Sequence, residues 1–308
     1  MTMKFRLLFV QLLIIPYIRR ELPGWGKLYQ LAIGDYKKDH RWKNMPEITI
    51  QGKLHKYFMR LDIRGWSNRA TWALGRFYDL GTQLVVCKLL RPGDLFVDIG
   101  ANEGMISLVA ARSVGSNGKV IAFEPNPVPR AKFEKNLELN NISTVNIIAA
   151  GASDQEGTLE LFVPEINTGE GSFAHDGNHQ QPGTVIACPI FTGDSVLKDA
   201  NPILIKIDVE GFEGKVITGL SSTLSRKKPI IIMEMVKSHL LRAGLSPTKL
   251  ANQMSELNYV GMRIELAGRF TKNLKLSALK TSNWVDCDVL WIPESKLSKT
   301  LNTIHGNL

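Results

Sequence analysis

The stretch LFVDIGANEG, residues 95–104, joins an apolar run to a glycine-containing turn and indicates how the chain folds. Short apolar runs rich in β-branched residues are typical of strands that are buried on both faces, as in a parallel sheet. A carboxylate near the end of such a strand is costly unless it meets water, a partner or a ligand. The stretch therefore predicts a strand whose carboxyl end, at Asp98 and Gly100, borders a binding site.

Three later apolar runs also end in a carboxylate, at Glu124, Asp208 and Glu234. Together with the first run they predict strands over residues 95–99, 119–123, 203–208 and 230–235. Ligands bind outside the carboxyl ends of the strands in open α/β sheets, so we expect the acids to lie around one crevice. Residues 259–265 and 287–292 predict an antiparallel pair that closes the sheet. The predicted fold class is α/β: a Rossmann-like, doubly wound, mostly parallel sheet with a closing antiparallel strand pair.

Charge is distributed unevenly along the 308 residues. Residues 1–93 hold seventeen Lys and Arg against six Asp and Glu, a balance of +11, and the rest holds twenty-one against twenty-three, or −2. We expect a basic N-terminal leader over residues 1–92, an α/β domain over residues 93–295 and a C-terminal tail over residues 296–308. Within the leader, residues 56–63 predict a strand and residues 69–90 predict a helix. The basic excess favours an anionic membrane, a polyanion or an acidic substrate, or else is a solvated surface.

The leader begins with an apolar stretch between basic residues. Residues 7–15 are apolar except for Gln11, and Arg19 and Arg20 follow. A helix that spans a bilayer needs about 20 residues, so this stretch is too short. It predicts a helix packed on the domain or an interfacial anchor, within residues 1–22, at a membrane surface; an uncleaved signal peptide is a third interpretation.

Three well-separated cysteines, Cys87, Cys188 and Cys287, form neither a disulfide framework nor a zinc pattern. They favour a reducing compartment, so we expect the protein in the cytoplasm, where the leader could hold it at the inner face of a membrane. His175 and His179 stand in a polar, Gly-rich insert over residues 167–183, which favours a loop. We therefore expect no metal site.

The turn after the first strand has the features of a nucleotide site. Gly100 permits a tight turn, and Asn102 is a residue type that tolerates left-handed backbone. Gly104 permits close packing of the next helix on the strand. Glu124 can accept hydrogen bonds from both hydroxyls of a ribose. Together these residues predict an adenosine-containing cofactor.

The identity of the cofactor follows from what the turn lacks. A dinucleotide site wants three glycines where this chain has Gly100, Asn102 and Met105. A pyrophosphate beside Asp98 would meet like charge, whereas the ammonium of a methionine moiety would meet an opposite charge. The turn favours S-adenosylmethionine (SAM) over NAD; the structural alternative is that Asp98 only caps the following helix.

The fourth strand end places Lys206, Asp208 and Glu210 on one face, because side chains alternate along a strand. A cation between two acids is either a satisfied ion network or the wall of a substrate cleft. Its position beside the expected cofactor crevice favours the cleft.

These segments together resemble the FkbM family of SAM-dependent methyltransferases. The resemblance lies in residues 95–104, 120–126, 205–211 and 229–234, and it covers residues 93 to 240. It implies a class I methyltransferase fold and methyl transfer to oxygen, commonly a hydroxyl of a polyketide or a sugar. By position it also implies that SAM is bound by Asp98, Gly100, Asn102, Gly104 and Glu124, and that the cleft is lined by Asp208, Glu210 and Glu234.

A hydroxyl must lose its proton as it attacks, so a nearby base would assist. Asp208 is the first candidate and Glu210 the second, with Lys206 and Glu234 as substrate-binding residues. The expected acceptor is a sugar, polysaccharide, glycolipid or polyketide, and no nucleic acid is expected. The alternatives are an NAD-dependent oxidoreductase and a non-catalytic SAM- or nucleotide-binding protein at a membrane.

Overall fold

The computed structural model describes residue 8 and residues 10–165, 171–174, 182–268, 272–282 and 284–306. The strands are β1 (Ile48–Gln51), β2 (Phe58–Leu61), β3 (Leu95–Ile99), β4 (Lys119–Phe123), β5 (Val145–Ile148), β6 (Gly151–Ser153), β7 (Gly157–Pro164), β8 (Gly183–Thr192), β9 (Leu204–Ile207), β10 (Ile230–Met235), β11 (Tyr259–Ala267), β12 (Asn273–Ala278) and β13 (Cys287–Pro293).

The helices are α1 (Ile15–Arg19), α2 (Trp25–Ala32), α3 (Trp66–Leu74), α4 (Leu80–Leu89), α5 (Met105–Val114), α6 (Pro127–Leu139), α7 (Gly193–Leu197), α8 (Glu213–Gly219), α9 (Ser221–Lys227), α10 (Lys237–Arg242), α11 (Pro247–Glu256) and α12 (Leu297–His305). A π-helical turn, Val10–Ile14, leads into α1, and two short 3₁₀ helices span Tyr36–Arg41 and Glu294–Lys296.

Eight strands form one mixed sheet in the order β12-β11-β13-β10-β9-β3-β4-β5. The five strands from β10 to β5 pair in parallel, as the apolar runs predict. Strand β13 pairs antiparallel with both β10 and β11, which confirms the predicted closing pair. Strand β12, which was not predicted from the sequence, extends the sheet beyond β11.

The chain winds outward in both directions from the centre of this sheet. Strands β3, β4 and β5 lie on one side, and β9 and β10 continue on the other, so the order reverses between β3 and β9. Phe96 and Val97 of β3 are fully buried, one in each of the two clusters that cover the opposite faces. A reversal point between buried parallel strands is where α/β proteins bind ligands.

The leader is more regular than the sequence suggested. Residues 69–90, predicted as one helix, divide into α3 and α4 because Gly75 takes a left-handed conformation, φ 68°, at the end of α3. The strand predicted over residues 56–63 corresponds to β2, which pairs with the unpredicted β1. Leader side chains such as Met59 and Trp72 share one hydrophobic cluster with Met105 of the α/β part.

Two further segments bear on the predictions. Residues 297–305, expected in a tail, form α12, and its Ile304 is buried because the helix packs on the core through this side chain. Strands β6, β8 and β7 form a separate small sheet at the base of the insert. His175 and His179 lie outside the described residues. Among the helices that the structure describes, none is long and apolar enough to cross a membrane.

Candidate functional site

A cavity of ≈ 590 Å³ opens at the carboxyl ends of β3, β4, β9 and β10. Its volume lies within the range of roughly 300–1,000 Å³ that is usual for small-molecule sites. Most of the predicted site residues line it; these are Gly100, Asn102, Glu124, Lys206, Asp208, Glu210 and Glu234.

The turn after β3 has the backbone that its residue types predict. Gly100 has φ 80°, and a Cβ there would lie 1.8 Å from the backbone oxygen of Asp208. Asn102 is left-handed, φ 53°. Gly104 does not line the cavity: a Cβ there would meet the ring of Phe133 in α6 at 2.0 Å. Its role is therefore close packing, but against the next helix and not the strand.

Glu124 presents a fixed carboxylate to the cavity. One of its oxygens accepts the Asn102 N–H at 2.7 Å, and the other accepts the Asn126 N–H at 2.8 Å. Burial raises the pKa of Glu124 to about 7, although these two backbone N–H groups favour the charged form. Each carboxylate oxygen has two lone pairs, so both can still accept a hydroxyl from a ligand.

Asp98 lies beneath the cavity wall and does not line it. Its buried carboxylate accepts the Ser107 hydroxyl at 2.6 Å and lies 3.5 Å from Lys206 Nζ. Burial raises the pKa of Asp98. The capping alternative is wrong, because Gly104 precedes α5 and no side chain caps that helix.

Lys206 connects Asp98 to the cavity. Its ammonium lies 3.1 Å from Asp208 Oδ2 and donates to the backbone oxygen of Gly100 at 3.1 Å. Burial disfavours the charge on this lysine, but Asp208 and Asp98 outweigh burial and raise its pKa. Lys206 and Asp208 therefore form an ion network and also line the cavity, so both interpretations of this strand end hold.

Carboxyl groups crowd the opposite side of the cavity. Asp288 of β13 lies directly across from Glu234 of β10 in the strand register. The charge of Asp208, followed by burial, raises the pKa of Glu234 to about 10. Burial, followed by the charge of Asp79, raises the pKa of Asp288 to about 8. The neighbouring negative charge and burial therefore favour the protonated form of Glu234, which can donate a hydrogen bond.

Glu210 is held in a strained loop beside His239. It adopts left-handed backbone, φ 55°, which is uncommon outside glycine and is typical of functional loops. The hydroxyl of Ser172 and the guanidinium of Arg242 donate to its carbonyl at 2.8 and 3.1 Å. His239 Nδ1 lies 2.8 Å from the Glu210 carboxylate, and this interaction raises the pKa of His239.

Glu210, Glu234 and His239 each bring one possible ligand atom within 4.8 Å of the others. Carboxylate and imidazole donors can hold a divalent cation. The sequence did not suggest this grouping, because the three residues come from a loop, a strand end and a helix.

The leader, α10 and β13 contribute lining residues that were not among the predicted site residues. Asp288 could have been predicted from the closing strand pair. Because β13 runs antiparallel to β10, an acid at the start of β13 lies at the same sheet edge as Glu234 at the end of β10. No pattern in the leader indicated a site. The missed lining residues include Trp66, Asn68, Tyr78, Asp79, His239 and Asp288.

Comparison with known proteins places this geometry in a family. The model of the methyltransferase FkbM domain matches residues 98–260. Methyltransferase 1 of Beauveria bassiana is 32% identical over 151 residues, which are 42% of this chain and 59% of that protein. The hexuronic acid methyltransferase AglP of Haloferax volcanii is 26% identical over 211 residues, 64% of this chain and 80% of the relative. The solved structure of a methyltransferase FkbM from Methylobacillus flagellatus aligns with 87% of this chain and 60% of its own at 15% identity, with a TM-score of 0.40.

The matched residues cover just over half of the chain and include the glycine turn, Glu124 and the Asp208 loop. The cavity fits SAM, the cofactor of this family. Gly100 lets the turn after β3 approach the Asp208 loop at the edge of the cavity, where a side chain would collide with backbone, and Glu124 faces the cavity with its carboxylate fixed. The chain therefore belongs to the FkbM family of SAM-dependent methyltransferases and has their class I α/β fold.

Proposed function

We propose that this methyltransferase methylates a hydroxyl oxygen of an uncharged, sugar-type acceptor. The observation that carries the proposal is the position of Asp208. Its carboxylate lies on the cavity wall, 3.1 Å from Lys206, and its backbone oxygen lies against Gly100. Asp208 is thereby a base with a fixed position, where the turn after β3 meets the rest of the cavity.

The cofactor side of the cavity is assigned to residues that can hold SAM. Glu124 would accept the ribose hydroxyls, while Gly100 and Asn102 would shape the turn around the methionine part. Asp98 would not touch SAM but would hold the Lys206 ammonium in position at the cavity wall. When bound, SAM supplies a methyl group already activated by positive sulfur.

The protein would then align the acceptor and receive its proton. Asp208 is the better placed base, because it lies where the turn after β3 meets the rest of the cavity, whereas Glu210 lies in the loop beside His239. Lys206 holds the Asp208 carboxylate in one orientation. Alignment of the hydroxyl in line with the breaking bond supplies much of the acceleration in reactions of this kind, and base catalysis adds to it.

The charge of the cavity favours a neutral acceptor. The raised pKa values of Glu234 and Asp288 indicate that negative charge is already costly there. An acceptor carboxylate would add to this repulsion, whereas sugar hydroxyls can hydrogen-bond to both protonated and ionised carboxyl groups. The AglP relative is named for hexuronic acid, so we expect this chain to differ from it in acceptor charge.

The test is a methyl-transfer assay with isotopically labelled SAM and matched acceptors: methyl hexosides, amino sugars and hexuronates. We expect label in a base-stable methyl ether on a neutral sugar. Transfer to nitrogen, or a base-labile methyl ester on the uronate, would overturn the proposal and leave the methyltransferase assignment intact.

A further inference from the structure

The N-terminal helical segment has one face packed on the protein and one face exposed. Val10, Ile15 and Ile18 are buried in a hydrophobic cluster with residues of the α/β part. On the other face, Leu12 and Leu13 are 64% and 63% exposed. Neighbouring leucines exposed to this degree on an otherwise packed segment form an apolar patch, which is typical of an interaction surface.

Two exposed basic side chains belong to the same group of packed helical segments as these leucines. Arg20 follows α1 and Lys27 lies in the adjacent α2, and both are exposed. In residues 8–34 the only acid is Glu21. Its carboxylate forms ion pairs with Lys53 at 2.9 Å and Arg76 at 3.2 Å, so it does not neutralise Arg20 and Lys27.

The exposed leucine face is linked to the active site through α3. Helix α1 packs on α3, and Arg19 donates to the carbonyl of Trp72 in that helix at 3.1 Å. The first turn of α3 carries Trp66 and Asn68, which line the cavity. A surface that binds α1 would therefore lie near α3, the helix whose first turn lines the cavity.

We propose that Leu8, Leu12, Leu13, Arg20 and Lys27 form a docking face for a membrane that contains anionic phospholipid. Leucines can insert among the acyl chains while the basic groups remain at the phosphates. A second copy of the chain is a poorer occupant, because two faces with the same positive charge repel. The docked enzyme would act on an acceptor that is itself held at the membrane.

The test is sedimentation of the full chain with vesicles of phosphatidylcholine that contain phosphatidylglycerol, and with phosphatidylcholine alone. We expect binding to the anionic vesicles, weakened by salt because the charges are exposed. The variant L12S/L13S should lower the partition coefficient by ~10-fold or more, because it removes inserted apolar area. R20Q/K27Q should lower it by about 30-fold on anionic vesicles alone, at roughly 1 kcal/mol for each base.

Matched controls are L139S, an exposed leucine on α6, and K249Q/K299Q, exposed lysines outside the face. These variants should bind like the parent, and all variants should keep the parental SAM affinity. Equal binding by L12S/L13S and the parent would overturn the proposal. So would self-association of the parent without vesicles that L12S/L13S abolishes, because the leucines would then join two copies of the chain.

Discussion

The two halves of the cavity are built differently. The half that we propose for SAM, the cofactor half, comes from two stretches, the turn after β3 and the end of β4, and consists largely of backbone that Gly100 and Asn102 shape. The acceptor half gathers side chains as distant in sequence as Tyr78 and Asp288. A site for one cofactor can be encoded locally, whereas a site for a particular acceptor is assembled by tertiary packing.

The halves also differ in how charge is managed. In the cofactor half, the Glu124 carboxylate is buried but accepts two backbone N–H groups, so its charge is compensated locally. In the acceptor half, Glu234 is destabilised in its charged form by the neighbouring Asp208. The first arrangement suits a fixed ligand contact, and the second disfavours any further negative charge in the cavity.

Replacement of Gly100 by alanine should have the largest effect, because it affects both halves. The new Cβ would lie 1.8 Å from the backbone oxygen of Asp208, and φ is +80°. We expect loss of SAM binding and a fall of ~3 kcal/mol or more in the free energy of unfolding, measured by denaturant titration.

The matched control for this prediction is Gly93→Ala. Gly93 has φ +92°, but a Cβ at this position would have no neighbour within 4 Å, so the variant reports backbone strain without the collision. We expect it to cost ~1–2 kcal/mol and to leave SAM affinity unchanged. Equal effects of the two variants would mean that contact with the Asp208 loop does not matter.

Asp208→Asn should affect turnover, which depends on the acceptor half, without affecting SAM binding in the cofactor half. The amide keeps the shape but cannot take a proton, so turnover should fall by about 100-fold or more while SAM affinity is retained. Turnover and calorimetric SAM titration are measured together, with the exposed Asp199→Asn as control. Normal turnover would remove Asp208 as the base; an unfolded variant would mean that the ion pair with Lys206 is structural.

Glu124→Ala should affect the cofactor half alone. We expect SAM affinity to fall by ~2–3 kcal/mol, the scale of lost charged hydrogen bonds, with exposed Glu138→Ala as control. The pKa of Glu124 is about 7, and its ionised form is the better acceptor. SAM affinity of the parent should therefore rise with pH through about 7, and the variant should lack this rise. A parental affinity retained by the variant would remove Glu124 from the site.

The sequence could predict what depends on local pattern. Strands β3, β4 and β10 begin and end at the predicted residues, because apolar runs ending in acids are strong local signals. The left-handed Asn102 also follows from residue type. The division of residues 69–90 at Gly75, the recruitment of Tyr78 and the proton on Glu234 could not be predicted, because each depends on packing between distant segments.

Glu234→Gln should have the smallest effect and sharpens the electrostatic contrast. The pKa of Glu234 is raised from 4.5 to about 10, so its contribution to stability is present at low pH and is lost as pH rises through this window. Glutamine resembles the protonated form and does not titrate. We expect equal melting temperatures for variant and parent near pH 4.5, and a variant that becomes more stable than the parent as pH rises to 8. Exposed Glu256→Gln is the control and should show no such divergence. A constant difference across pH would mean that Glu234 is already ionised, and that a positive charge beside Glu210 and His239 compensates it.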